Sequence, residues 1–448
     1  MIVCIWGVAA HAAASDFEKL EQAPMPAFSE PRVTTGVLKN GMRYYLLEDH
    51  QLPIINVNVI TKVGSIYEPA DKLGLANLLG ILLRTGGTKQ MTPEEIDRTF
   101  DDMAAEVGTG IGLEMGEGSF KCLSRDTQKT LSLFFDLLFS PRFDEKRIEL
   151  GKINIIEALK REDDYPSQVV SREFKKLVYG DESPWARRPN DKTVNGLSVD
   201  DLRTFHENYF VPANMIIAAA GDFQATSFLK LIEGLTKDIP NHKIEFPKVA
   251  PVELKFPNQE KSIEKPLTQS YIEIGHLGVK RHNPDKYALE IMDMILGAPI
   301  FKSRLMEDIR SNRGLAYSIA SDFGWGTDYG LFGVYAATKV QSTAEVIKLV
   351  KEHLKRLAEK GDVTQAEMNF AKKSVLNRLI FEFDNSFKIV NQRARYRFYD
   401  YPDNYWHIYR AQIEKVTIDD VRRVAHKYLR PDGLSLVIVG PALGKISN

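Results

Sequence analysis

The chain has 448 residues, 44% of them hydrophobic, enough to bury more than one core and to supply two or three ordinary domains. Fifty-nine basic residues against sixty acidic ones leave a formal charge of -1, which excludes a global field drawing the molecule to nucleic acid or anionic lipid. No apolar stretch approaches the roughly 20 residues that span a bilayer, so no transmembrane segment is expected.

Residues 1–15 read as a secretory signal. A short apolar run from Ile2 is followed by Ala10-His11-Ala12, an A-x-A pattern that puts cleavage near Ala12. The run lacks the usual Lys or Arg before it, which leaves an upstream start and a buried N-terminal strand as alternatives. Of the two cysteines, Cys4 would leave with the signal and Cys122 is expected as a small core residue, so no disulfide framework is available.

Lys39-Asn40-Gly41-Met42 reads as a hairpin turn between strands at Thr35 to Leu38 and Arg43 to Leu47, and Ile55 to Val59 alternates as a strand. A helix is expected over about Leu75 to Leu83. Thr92-Pro93-Glu94-Glu95 combines an N-cap, a proline at the first helical position and a capping-box glutamate; that second helix is expected to stop at Gly108. Gly108 to Gly118 has no phosphate-loop spacing and reads as a glycine-weakened edge strand. Helices at Thr127 to Phe139 and Glu145 to Glu162 complete an α+β layout.

Ser198 to Pro212 recurs as Thr417 to Pro431. Each copy has a Ser or Thr N-cap, two Asp in the first turn, an amphipathic helix, a Pro, and then a strand, Met215 to Gly221 or Leu434 to Gly440. Between the copies, Pro240, Pro247, Pro251, Pro257 and Pro266 punctuate an extended linker. The expected organisation is therefore a duplicated α+β chain: one αβ domain at 16–240, a linker at 241–266 and a homologous αβ domain at 267–448, each a mixed, mostly antiparallel sheet packed with helices.

The run from Lys39 through Gly64-Ser65, Gly74-Leu75-Ala76, Gly87-Thr88 and the Thr92 helix, with the repeat behind it, resembles the pitrilysin and mitochondrial-processing-peptidase family of zinc endopeptidases, the inverzincins. In that family a helix carries His-x-x-Glu-His: two imidazoles grip zinc and the Glu activates the metal's water. Here the matching positions are Asn77, Gly80 and Ile81, none of which can do this chemistry. The third ligand position matches Glu157, whose local reading is a partly buried helical carboxylate paired within its own helix. Elsewhere no two of the nine histidines lie three to five apart, so no zinc is expected in this chain.

Ser303 to Ser318 resembles the family's second element, in which an Arg and a Tyr seven positions apart reach across a clamshell to hold substrate and stabilise charge on the scissile carbonyl. Arg310 and Tyr317 match it. Without that resemblance they would read as an ordinary helical Arg and a Tyr opening a strand at Tyr317 to Ala320. Leu296 to Lys302 lacks the glycine-rich loop of the presequence-processing type, so the bacterial, exported type is the better match and the periplasm the expected location. The resemblance thus implies a non-catalytic subunit, inactive alone, that supplies Arg310 and Tyr317 to peptide held by a zinc-bearing homologous partner. A homodimer without that partner stays open. The alternative is a proteolytically inert structural or peptide-holding protein of the same fold; a two-domain solute-binding protein is suggested only by export and duplication. Arg393 to Tyr399, followed by Tyr405-Trp406, reads as a helix whose rings pack in the second domain with Arg over aromatic faces, in preference to a nucleic-acid platform.

Overall fold

Turn chemistry and period-2 alternation build the first sheet of the computed structural model, which describes residues 31–442; the proposed signal, with Ala12 and Cys4, lies outside the described residues. Strands β1 (Thr34–Val37) and β2 (Arg43–Glu48) form the expected hairpin, and β3 (Ile54–Thr61) follows. Helices α1 (Leu75–Thr85) and α2 (Pro93–Asp102) lead into β4 (Glu106–Ile111) and β5 (Gly116–Leu123). Then come α3 (Thr127–Phe139), α4 (Glu145–Glu162), α5 (Pro166–Tyr179), the short α6 (Asp191–Asn195), α7 (Val199–Tyr209), β6 (Met215–Gly221) and α8 (Ala225–Thr236). The sheet order is β1-β2-β6-β3-β5-β4, with β2 parallel to β6 and β3 antiparallel to both β6 and β5. Buried Cys122 sits in β5, inside the core.

The second half repeats this plan. It runs β7 (Glu260–Glu264), β8 (Gln269–Leu277), β9 (Val279–Lys280), α9 (Lys286–Leu296), a π-helical turn at Met306–Asn312, β10 (Ala316–Phe323), β11 (Trp325–Gly326) and β12 (Leu331–Lys339). Helices α10 (Thr343–Lys360), α11 (Gln365–Phe381), α12 (Ser386–Phe398), α13 (Tyr405–Lys415) and α14 (Ile418–Tyr428) precede the last strand, β13 (Ser435–Gly440). Its sheet order is β10-β12-β8-β13-β7, so β13 occupies the place of β6 and β10 that of the edge strand β4. The repeated helices α7 and α14 both start in reciprocal capping boxes, Ser198 with Asp201 and Thr417 with Asp420.

Two expectations need correction. Helix α2 ends at Asp102, not Gly108. Ala104 takes the left-handed residue (φ 48°) and the Ala105 amide closes back onto the Phe100 carbonyl, so an alanine fills the terminating role and Gly108 belongs to β4. The linker is not wholly outside the domains, because Glu260–Glu264 is a strand of the second sheet, paired in parallel with β13. The Arg393 to Tyr399 helix packs its rings in the second half as expected, with Tyr396 against Tyr405 (4.9 Å) and Arg281 over the Tyr399 ring (3.7 Å), and in addition α12 lies across β6, β2 and β3 of the first sheet.

That last contact has a counterpart. Helix α5 of the first half lies on β8 and β13 of the second sheet, where Val169, Val170 and Phe174 join Val437 and Val439 in one buried cluster. Each half covers the other's sheet with one helix. Polar contacts fasten both crossings: Asn58 donates to the Asn391 amide oxygen (2.8 Å), Tyr45 to Asp403 (2.8 Å), and Ser171 to Glu273 (2.5 Å). The described residues from Val33 onward accordingly form one compact unit. Among the described residues, no helix is long and apolar enough to cross a membrane.

Phe174 is fully buried in the opposite half's cluster. Phe174→Ala is expected to cost about 3–5 kcal/mol in urea unfolding and to speed amide exchange in β8 and β13; an effect confined to first-half strands would contradict the crossed packing.

Candidate functional site

Helix α1 has an apolar face of Leu75, Leu78, Leu79, Leu82 and Leu83, all buried against the first sheet. Its N-terminus follows Gly74 (φ 101°), which supplies no side-chain cap. The cap comes from Glu68: its carboxyl accepts from the Gly74 amide (3.2 Å) and the Ala76 amide (2.6 Å). Arg187 secures the same loop by donating to the Ser65, Ile66 and Glu68 carbonyls. Burial pushes Glu68 up to about 7, outweighing the two amides and the Arg187 charge that pull it down. Nothing in the sequence marks Glu68, since it caps a helix from six residues upstream across an irregular loop.

Edge strand β4 runs against α1. Thr109 donates its hydroxyl to the Gly80 carbonyl (2.7 Å), and Arg84 bonds the Val107 carbonyl (3.2 Å) while pairing with Asp97 (2.7 Å). The approach is so close that a Cβ on Gly80 would stand 2.6 Å from the Ile111 amide nitrogen and 3.0 Å from the Gly110 carbonyl carbon. In this arrangement a glutamate at position 80 would collide with the β4 backbone. Asn77 is exposed and Ile81 half-buried on the same helix. Glu157 is exposed on α4, not partly buried, and is bridged by Arg161 one turn on (3.0 Å). An amide, a hydrogen, an aliphatic chain and an already paired carboxylate do not make a zinc donor set. Among the described residues, no group of three or more His, Cys, Asp or Glu is placed to hold a metal ion.

Arg310 and Tyr317 do come together. Arg310 lies in the π-helical turn, and Tyr317 at a register shift where β10 bulges between Ala316 and Ser318. The bulge leaves the Tyr317 carbonyl out of the ladder with β12, and Arg310 Nε donates to it (2.9 Å). The Tyr317 ring is 51% exposed, and the Arg310 guanidinium stands 5.7 Å from the ring of Phe301, itself 75% exposed. Two backbone irregularities therefore present the two side chains at an open surface.

A groove runs beside the β4–β5 hairpin. Its volume is about 520 Å³, and it is lined by Gly110 to Met115 and Glu117 together with Arg395 and Tyr399 from α12. Arg395 bridges Glu117 (2.6 Å), which also accepts from Asn58 (3.1 Å). Among the described residues β4 has β5 as its one strand neighbour, with Arg84 on its Val107 carbonyl, and Gly108 and Gly110 have open space where a side chain would be.

Comparison with known proteins fits this arrangement. Residues 44–183 match the family described as Insulinase (Peptidase family M16), and residues 196–375 match the one described as Peptidase M16 inactive domain. An uncharacterized zinc protease of Streptomyces coelicolor is 26% identical over 394 residues, covering 86% of this chain and 84% of that one. The uncharacterized zinc protease YmxG of Bacillus subtilis is 24% identical over 349 residues, covering 78% and 84%. Two solved structures share the fold: the peptidase M16 inactive domain from Pseudomonas fluorescens (TM-score 0.84, 24% identity, 92% of this chain and 99% of that chain) and a protease from Helicobacter pylori (TM-score 0.81, 21% identity, 92% and 100%).

Two outcomes follow from the α1 environment. Gly80→Ala is expected to lower stability by about 1–3 kcal/mol in denaturant titration although alanine is the better helix former, because the contact is with backbone that cannot swing away. Gly110→Ala, facing open space, should stay within about 0.5 kcal/mol of the parent. The second outcome concerns pH. The folded-state value of Glu68, about 7, lies above its ordinary 4.5, so its contribution to stability is fully present below pH 4.5 and is lost as pH rises through 7. Glu68→Gln keeps an acceptor oxygen for the cap and has no proton to lose. It should flatten the stability profile across that window by up to about 3 kcal/mol, as read from unfolding curves at stepped pH.

Proposed function

Because the chain belongs to peptidase family M16, we propose that it is the non-catalytic subunit of a heteromeric zinc endopeptidase. The carrying observation is Gly80. The helix that would hold zinc has settled against the β4 backbone, with Asn77 and Ile81 on either side, so the loss extends from the ligands to the space they need. In this reading a homologous partner brings the zinc and hydrolyses the peptide, and this chain contributes Arg310 and Tyr317. Their part would be to donate to the oxygen on which charge develops at the scissile carbonyl, a contact made strongest in the transition state. The edge position of β4, unpaired with a second strand among the described residues, and the groove lined by Gly110 to Met115 suit an extended peptide lying along the hairpin. The signal-like start favours an exported, periplasmic setting.

A second reading keeps the fold and the peptide but not the chemistry: an inert structural or peptide-holding protein. It is favoured by the existing bond from Arg310 to the Tyr317 carbonyl, which occupies one of the guanidinium's donors.

Purified alone, the protein is expected to carry no stoichiometric zinc and to cleave no unstructured peptide. About one tightly held zinc per chain by elemental analysis would overturn the proposal. With a zinc-bearing homologue co-purified from native cells, Arg310→Ala or Tyr317→Phe should lower the rate constant of the pair about 10²-fold with assembly unchanged, while Glu157→Gln leaves it intact. Full activity in both the Arg310 and Tyr317 variants would favour the peptide-holding reading instead.

A further inference from the structure

The Arg and aromatic run of α12 is not used by the proposed chemistry, yet it forms the wall of a second cavity. This cavity, about 420 Å³, opens where α9, α11, α12 and α13 meet, within the usual range of small-ligand pockets. It shares Arg395 and Tyr399 with the groove beside β4, so the two spaces adjoin. Five tyrosines (Tyr396, Tyr399, Tyr401, Tyr405 and Tyr409) and Trp325 supply aromatic walls.

The charges facing it are unbalanced. Arg281, Lys286, Arg378 and Arg395 line the cavity against Glu290 and Glu382. Glu290 is already engaged, accepting from Tyr409 (2.6 Å) and from Arg378. Lys286 donates to the Tyr401 hydroxyl (2.9 Å) and lies 4.1 and 4.4 Å from the Tyr401 and Tyr405 ring centres; burial lowers its ammonium to about 8, so it stays mostly charged at neutral pH. Arg281 stacks 3.7 Å from the Tyr399 ring centre and donates one nitrogen to the Trp325 carbonyl (2.8 Å). Its Nε is buried with no acceptor. A buried charged N–H without a partner is a standing cost, which an incoming oxygen removes once the guanidinium turns toward the cavity.

We infer that this cavity takes a peptide carboxylate together with the aromatic side chain beside it, from a chain lying along the β4 groove. The inference rests on the peptide-holding property shared by both functional readings. Arg281 and Lys286 supply the charge-assisted donors, and the tyrosine walls supply faces on which a ring can stack. A cationic peptide end has less to meet, because of the two lining carboxylates Glu290 is taken by Arg378 and Tyr409, which leaves Glu382 against Arg281 and Lys286. The carboxylate can come from the chain terminus or from an acidic side chain, and the experiment separates these sources.

The test uses the whole chain and short fluorescein-labelled peptides, read by fluorescence anisotropy. One pair carries no acidic residue and ends in Phe, as the free acid or as the amide. A second pair consists of amides with Glu or Gln next to the Phe. At least one carboxylate peptide should bind about 10-fold tighter than its neutral twin. Preference within the first pair assigns the chain terminus; preference within the second assigns a side chain. Arg281→Gln and, separately, Lys286→Met should reduce that preference, with circular dichroism confirming that each variant folds. Equal binding by all peptides, or a preference that survives both substitutions, overturns the inference and leaves peptide holding in place. Failure of every peptide to bind overturns peptide holding itself, and this inference with it.

Discussion

The exchange of helices α5 and α12 between the two sheets is the constraint on which the rest of the molecule depends. A sheet with one bare apolar face must find a cover. Here each half supplies the cover for the other: Val170 and Phe174 leave the first half to lie on Val437 and Val439, while α12 crosses onto β2, β3 and β6. Neither half can leave without exposing both faces, which makes one unit of a duplicated sequence. The same crossing carries Arg395 and Tyr399 to the β4–β5 hairpin, so the groove has one wall from each half.

Within that frame, two regions contrast in their backbone packing. On α1 the helix lies close on the β4 backbone, with the Thr109 hydroxyl on the Gly80 carbonyl and no room for a Cβ at Gly80. Close packing of this kind favours order over function, since reinserting a large side chain would first have to displace β4. At β10 the backbone is irregular instead. A π-helical turn and a bulge hold Arg310 and Tyr317 at the surface, an arrangement that gives up ladder hydrogen bonds and recovers one through Arg310. Such irregularity at two residues already singled out by the family resemblance adds to the Gly80 contact on which the functional proposal builds.

Local structure was legible wherever a short-range rule decided it. Helices α3 and α4 span the residues that periodicity indicates, and the Thr92, Ser198 and Thr417 caps form as read, because a cap needs only its own first turn. The rule failed at Ala104, where a non-glycine residue took a left-handed conformation that glycine usually fills.

The sequence by itself determined the duplication, the α+β character and the lack of metal-binding side chains at Asn77, Gly80 and Ile81, because each is written in residue identity and spacing. Tertiary structure alone decided which half each helix covers, since α5 and α12 are amphipathic helices whose composition does not say whose sheet they meet. It also decided that Glu68 caps α1, that Gly80 touches β4, and that Arg281, Lys286 and the tyrosines converge on one cavity. All of these are contacts between segments far apart in the chain, or joined by irregular loops, and no local pattern encodes them.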